Sequence, residues 1–70
     1  MRVLVGLVPE RTEREVVLPD RATGLELLRV LGRAPDVHIL TRGDTPVPLD
    51  TPLEDGERVR VISVVSGGLA

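Results

Sequence analysis

Few of these 70 residues could do chemistry with their side chains. There is no cysteine, which excludes a thiolate nucleophile, a disulfide, and zinc–thiolate or iron–sulfur ligation. The single histidine, His38, has no evident carboxylate partner in the sequence. It reads as a solvent-facing or interface residue, not as a catalytic base or metal ligand, so no catalytic and no metal-binding residue is expected. Five acids, Asp44, Asp50, Glu54, Asp55 and Glu57, fall near one end of the chain. They read as a solvated face, or as a contact for basic residues of a partner that acts mainly on association rate and specificity. The remaining candidate is backbone: Gly67-Gly68. A residue without Cβ lets the chain pass where side chains cannot and adopt angles that other residues rarely reach. Alone, such a pair describes a flexible tail as well as a reactive one, so the elements before it decide its meaning.

The length allows one domain, which hides only about 60% of its unfolded surface. With no Phe, Tyr or Trp, the core must be built from Val and Leu. Little room is left for an enclosed catalytic cavity, so the chain is not expected to be an enzyme. Net charge is −2 with acids and bases interspersed. No basic stripe and no aromatic platform is available, which argues against direct nucleic-acid binding. All nine basic residues are Arg, so no side-chain amine could accept an isopeptide bond. The apolar run from Met1 to Val8 is too short to span a membrane and lacks the flanks of a signal peptide. The expectation is a cytoplasmic monomer with no membrane association.

Arg2 to Val8 predicts a buried strand, and Pro9-Glu10-Arg11 a turn. Glu13 to Leu18 predicts a second strand, paired to the first as an antiparallel hairpin. Thr23 is placed as a helix N-cap with Glu26 three residues on. Gly24 to Leu31 then forms a short amphipathic helix, with Leu27, Leu28 and Leu31 on one face. Gly32 suits its left-handed end and Pro35 prevents resumption. Val37 to Leu40 predicts a short third strand, and Arg42-Gly43-Asp44 a turn. Pro46 and Pro48 restrict Val47 to Leu49 to edge or irregular structure. Asp55-Gly56 makes a tight turn before the last strand, Arg58 to Val65. The order β-β-α-β-(β)-β predicts an α+β, β-grasp (ubiquitin-like) fold: a mixed four- to five-stranded sheet packed on one short helix. Residues 1–65 form the domain, and 66–70 a flexible C-terminal tail.

The segment Leu53-Glu54-Asp55-Gly56-Glu57-Arg58-Val59-Arg60-Val61-Ile62, followed by Ser63-Val64-Val65-Ser66-Gly67-Gly68, resembles the C-terminal half of β-grasp sulfur carriers and ubiquitin-like modifiers. That group includes the thiamine sulfur carrier, the molybdopterin-synthase small subunit, the tRNA 2-thiouridine sulfur carrier and the small archaeal modifier proteins. The opening Met1-Arg2-Val3 and the ending from Ile62 to Gly68 are most similar to the tRNA-thiolation branch. The resemblance implies a partner, a ubiquitin-activating-type enzyme, that uses Mg-ATP to adenylate the carboxylate of Gly68. The acyl-adenylate then becomes a thiocarboxylate, or a thioester attacked by a target lysine. Sulfurtransferases and target proteins are implied as further partners. No cofactor is expected on this chain itself.

The chain departs from that pattern at its end, because Leu69-Ala70 follow Gly68. Three explanations stand: a precursor trimmed by a processing protease, a vector-derived remnant, or an inert Gly-Gly on a non-conjugated module. A second surface is expected on the sheet. If Val59, Val61, Ser63 and Val65 face the helix with Met1, Val3, Val5 and Leu7, then Ile62 and Val64, with Leu4 and Leu40, lie on the open face. An exposed aliphatic patch there suggests a partner-binding surface. The opposite alternation, with these residues in the core, remains the competing arrangement. Two rival functions follow: a non-covalent binding module using that face, or a small subunit of molybdopterin synthase that completes another enzyme's site with its tail.

Overall fold

Strict alternation makes the first strand. In the computed structural model, which describes residues 1–8 and 10–64, β1 (Arg2–Val8) buries Val3, Val5 and Leu7 on one face. β2 (Thr12–Val17) returns antiparallel, with Val3 opposite Val16 and Leu7 opposite Thr12. The turn between them closes with the Arg11 N–H donating to Leu7 O at 2.7 Å. It holds Arg11 at φ 61°, a region costly for any residue with a Cβ. Arg11→Gly should therefore stabilise the fold by about 0.5–1 kcal/mol, part of the strain relief being offset by glycine's greater freedom when unfolded. Urea unfolding checks this, and a loss of stability would show that the Arg11 side chain itself holds the turn.

The helix α1 spans Gly24–Leu31, as the capping residues predict. The extended Thr23 places its N–H on Glu26 Oε1 at 3.3 Å. Gly32 ends the helix at φ 72°, its N–H bonded to Arg29 O and that of Arg33 to Leu28 O. This pair of bonds satisfies carbonyls that the last turn would leave bare. Leu27 and Leu28 are fully buried. Gly24 sits so close to the sheet that a Cβ there would lie 2.7 Å from Leu40 Cδ2. At eight residues α1 is short, and among the described residues no helix is long and apolar enough to cross a membrane.

A 3₁₀ turn, Pro35–Val37, leads into β3 (His38–Arg42). Gly43, at φ 63°, turns the chain into β4 (Thr45–Val47). β4 lies at the sheet edge, where Pro46 opposite Thr41 is tolerated. β5 (Arg58–Ser63) runs parallel to β1 and antiparallel to β3, giving the order β2-β1-β5-β3-β4. A five-stranded mixed sheet with one short helix on one face is the β-grasp arrangement the sequence predicts. The core is wholly aliphatic, with Val59 and Val61 joining β1 and α1.

Several details differ from expectation. β2 is Thr12–Val17 where Glu13 to Leu18 was predicted, β4 is Thr45–Val47 where an edge segment was placed at Val47 to Leu49, and β5 ends at Ser63, before Val64. β3 begins a residue later than predicted and continues to Arg42, because Pro35 starts the 3₁₀ turn that absorbs Val37. That shift accompanies a correction. Leu40 is not on the open face: it lies opposite Val61, points into the core and is 1% exposed. Ile39, opposite Ile62 and 40% exposed, takes the outward position instead. The predicted last strand included Val65, which lies outside the described residues.

The acids are divided by the fold. Asp55 Oδ1 accepts the Arg2 N–H at 2.8 Å, and the Gly56 N–H (φ 81°) donates to Arg2 O, so the turn clips the start of β1. Glu57, its side chain 12% exposed, accepts Arg42 Nε at 2.6 Å, Arg42 Nη2 at 3.1 Å and the Glu54 N–H at 2.6 Å. Burial pushes its carboxyl up, but the hydrogen bonds from Arg42 and Glu54 and the Arg42 charge outweigh it, leaving it below the ordinary 4.5. A depressed folded value means stability that is present above about pH 4.5 and lost as pH falls through the folded value. Glu57→Gln should cost about 1 kcal/mol at pH 7, since Arg42 is partly exposed. The gap to wild type should narrow as pH falls below about 4.5 and through the folded value. A gap independent of pH in chemical denaturation would remove the ion pair as its cause.

Candidate functional site

The sheet pairing sorts the predicted surface residues. On the face away from α1, three aligned β-branched residues cross the central strands: Val8 of β1, Ile62 of β5 and Ile39 of β3. Leu4 lies on the same face of β1, opposite Arg58 of β5 and Glu15 of β2. Leu4 and Ile62 are half-buried, while Ile39 and Val64 are 40% and 47% exposed. Ile62 and Val64 are thus outside the core at this end of the sheet, Leu4 is outside it four residues back along β1, and Leu40 is not. Val8 and Ile39 are the members that sequence reasoning missed. The signal for Val8 was the β1 alternation itself; that for Ile39 was hidden in the phase of a short strand.

The next row holds Glu13, Gly6, Arg60, Thr41 and Pro46, from β2 across to β4. Gly6 leaves space on β1 that the Arg60 stem uses: a Cβ on Gly6 would lie 3.5 Å from Arg60 Cγ. Glu13 pairs with Arg58 at 3.7 Å. Thr41 is 6% exposed, and its hydroxyl has no hydrogen-bond partner among the described residues.

The end of β5 is tied to its surroundings. The Val64 N–H donates to Val37 O at 2.8 Å. His38 Nδ1 donates to Ala34 O at 2.7 Å, which fixes the ring against the 3₁₀ turn. Arg33 Nη2 bridges to Glu10 Oε2 at 2.7 Å, joining the end of the helix to the β1–β2 turn. That hydrogen bond, then the residue's own N–H and the nearby charges of Arg33 and His38, hold the Glu10 carboxyl below its ordinary value against a desolvation effect. The hairpin turn, helix end and 3₁₀ turn thus brace one end of the sheet, where β5 hands over to the tail. Gly67 and Gly68, with Leu69 and Ala70, lie outside the described residues.

Sequence comparison assigns the braced domain: residues 1–65 match the family profile of small archaeal modifier protein 2. The chain belongs to that family. It is therefore a ubiquitin-like protein modifier in class, and partners of the modifier kind, an activating enzyme and targets, follow in general terms. Solved structures agree on the fold. One described as "Caldiarchaeum Subterraneum Ubiquitin" superposes with a TM-score of 0.69 at 18% identity, covering 97% of this chain and 98% of that one. Another, "A ubiquitin-like protein from the hyperthermophilic archaea Caldiarchaeum subterraneum", gives 0.56 at 19% identity, covering 96% and 100%. No curated protein matches the chain in sequence. At these identities the structures speak for the fold, and the family match carries the class. The matched segment ends at Val65, with Ser66 between it and Gly67-Gly68.

Proposed function

We propose that this small archaeal modifier protein acts through the carboxylate of Gly68, once a protease has removed Leu69-Ala70. A carboxylate oxygen attacks the α-phosphorus of Mg-ATP on an adenylating enzyme of the ubiquitin-activating type, and pyrophosphate leaves. The acyl-adenylate is then attacked by sulfide or by a thiol, and AMP leaves. The product is a thiocarboxylate, or a thioester that passes the chain to a target lysine. Of the tail, residues 66–70, the part left after trimming, 66–68, is handed over, the work is cytoplasmic, and a tRNA-thiolation pathway is one destination of the sulfur. This chain contributes no catalytic group: it presents a reactive end.

The observation that carries the reading is the family match over 1–65, with Gly67-Gly68 one residue beyond it. Geometry supports it. β5 ends beside braced structure, and Gly68 is the sixth residue after Ile62, an extended reach of roughly 20 Å at about 3.3 Å per residue. A free carboxylate is a poor electrophile, and adenylation supplies the leaving group. The test is mass spectrometry of the chain ending at Gly68, incubated with the adenylating enzyme of the same genome, Mg-ATP and a sulfide source. Replacement of one terminal oxygen by sulfur is expected, and an unmodified chain overturns the reading.

The open-face row of Val8, Ile62 and Ile39 favours a second reading, a non-covalent binding module. Deleting residues 67–70 separates the two. A binding module keeps its partner, while a carrier loses all activity.

A further inference from the structure

Met1 is built into the sheet. Its amine donates to Leu18 O at 2.7 Å, and the Leu18 N–H donates to Met1 O at 2.8 Å. This reciprocal pair adds a rung to the β1–β2 ladder ahead of Arg2 and Val17. The amine thus stands where a strand would place a peptide N–H. Asp20 Oδ1 lies 3.8 Å from it, and the Met1 side chain, 4% exposed, packs against the aliphatic core. Met1 also carries the one primary amine of these 70 residues, since all nine basic side chains are Arg. A guanidinium stays charged and is no acyl acceptor.

We propose that this modifier is attached singly: the fold withholds the Met1 amine, so the chain is not an acceptor for another copy of itself. The inference rests on the activation reading above. For a chain of copies to grow, that amine would attack the carbonyl of an activated Gly68 in a second copy. An amide bond would form, the thiol or AMP would leave, and the amine would give up a proton. The attack needs a free lone pair on nitrogen and a carbonyl carbon within about 3–3.5 Å. To meet it, Met1 has to leave Leu18 and draw its side chain away from the core. Opening two hydrogen bonds of ordinary net strength lowers the share of freed amine by about 10-fold or more. The chain's own Gly68 falls short as well. Val8, level with Ile62, is seven residues from Met1, about 23 Å along a strand. From Ile62 to Gly68 the chain spans roughly 20 Å. The acyl group therefore passes to the solvated lysine of a target, and the product stops at one copy.

Acetylation tests the withheld amine without any enzyme. The folded chain ending at Gly68 is treated with an N-hydroxysuccinimide ester of acetate, beside the same chain extended by Gly-Ser-Gly before Met1. The Met1 amine should react about 10-fold or more slowly than the amine of the extension, and the two rates should converge in urea. Folded-state rates within about 2-fold of each other overturn the proposal. Self-conjugation tests the consequence, with the adenylating enzyme, Mg-ATP and intact-mass detection. Arg29→Lys, on the exposed side of α1, and the extended chain should both give two-copy products. The chain with neither change should give less than about a tenth of their yield. A comparable yield through Met1 overturns single attachment. So does failure of both acceptor variants while free lysine is acylated, because the placement of the amine is then not what stops growth. If free lysine is not acylated either, the activation reading falls and single attachment with it, while the acetylation rates still decide whether the amine is withheld.

Discussion

The chain ending at Gly68 should support adenylation at least about 10³-fold faster than the chain ending at Ala70. Each added residue can move the terminal carboxylate by about 3.3 Å. A misplacement of only about 1 Å in a reacting group can cost about 10²-fold. Two residues exceed that displacement several times over, and they also bring the side chains of Leu69 and Ala70 into a passage that glycine enters without one. A protease that releases Leu69-Ala70 should restore the rate. The measurement is pyrophosphate exchange with both chains at equal concentration, followed by mass spectrometry of the products. Equal rates would mean that the reacting group is not the Gly68 carboxylate, and inertness of both chains would leave the non-covalent reading.

Much of the fold was legible because its signals are local. The ends of α1 follow from Thr23, Glu26 and Gly32, and the structure places bonds on all three. The hairpin follows from the alternation in β1 and from the turn residues before Thr12. The phase of β3 was not legible for a physical reason. A strand of five residues next to a proline-led 3₁₀ turn offers two alternations of similar hydrophobicity, with Ile39 and Leu40 adjacent. The choice is made by register against β5, where Leu40 meets Val61. Such a pairing links segments distant in sequence, and a slip of one residue would turn every side chain over.

The candidate site divides in the same way. Gly67-Gly68 is a motif of the sequence alone and lies outside the described residues; the chemistry proposed for it would need nothing but backbone and position. The outward positions of Ile62, in β5, and of Val64, just beyond it, were legible from the alternation of the strand. The row that joins Gly6 to Arg60 and Thr41 was not, since no single segment contains it. It exists only once β1 and β5 lie parallel with Gly6 beside Arg60. The acids show the converse. A run that reads as a uniform charged face contains Asp55, which clips β1, and Glu57, which holds Arg42. Composition alone could not distinguish them from the exposed Asp44 and Asp50.

The helix makes the fold most vulnerable at one residue. Leu27→Ala should cost about 3–4 kcal/mol, within the range for a fully buried leucine whose cavity does not collapse. Leu27 is 0% exposed at the centre of the only α-helix among the described residues. Its neighbours are Val and Leu side chains of a sheet that is held on both sides of β5, so they have little freedom to fill the space. No aromatic ring is available anywhere in the chain to reach into it. At about 0.05–0.15 kcal/mol per residue, a chain of this size has roughly 4–10 kcal/mol of stability in all. The substitution removes between a third and most of that, and should lower the midpoint of thermal unfolding by about 12–30 °C. Val30→Ala, one turn away and 57% exposed, should change stability by less than about 0.5 kcal/mol, because alanine's better helix propensity offsets the small loss of contact. Thermal and urea unfolding of the two variants side by side decide the matter. A cost below about 1.5 kcal/mol for Leu27→Ala would mean that the core repacks around the loss, and that the aliphatic interior is more fluid than its burial implies.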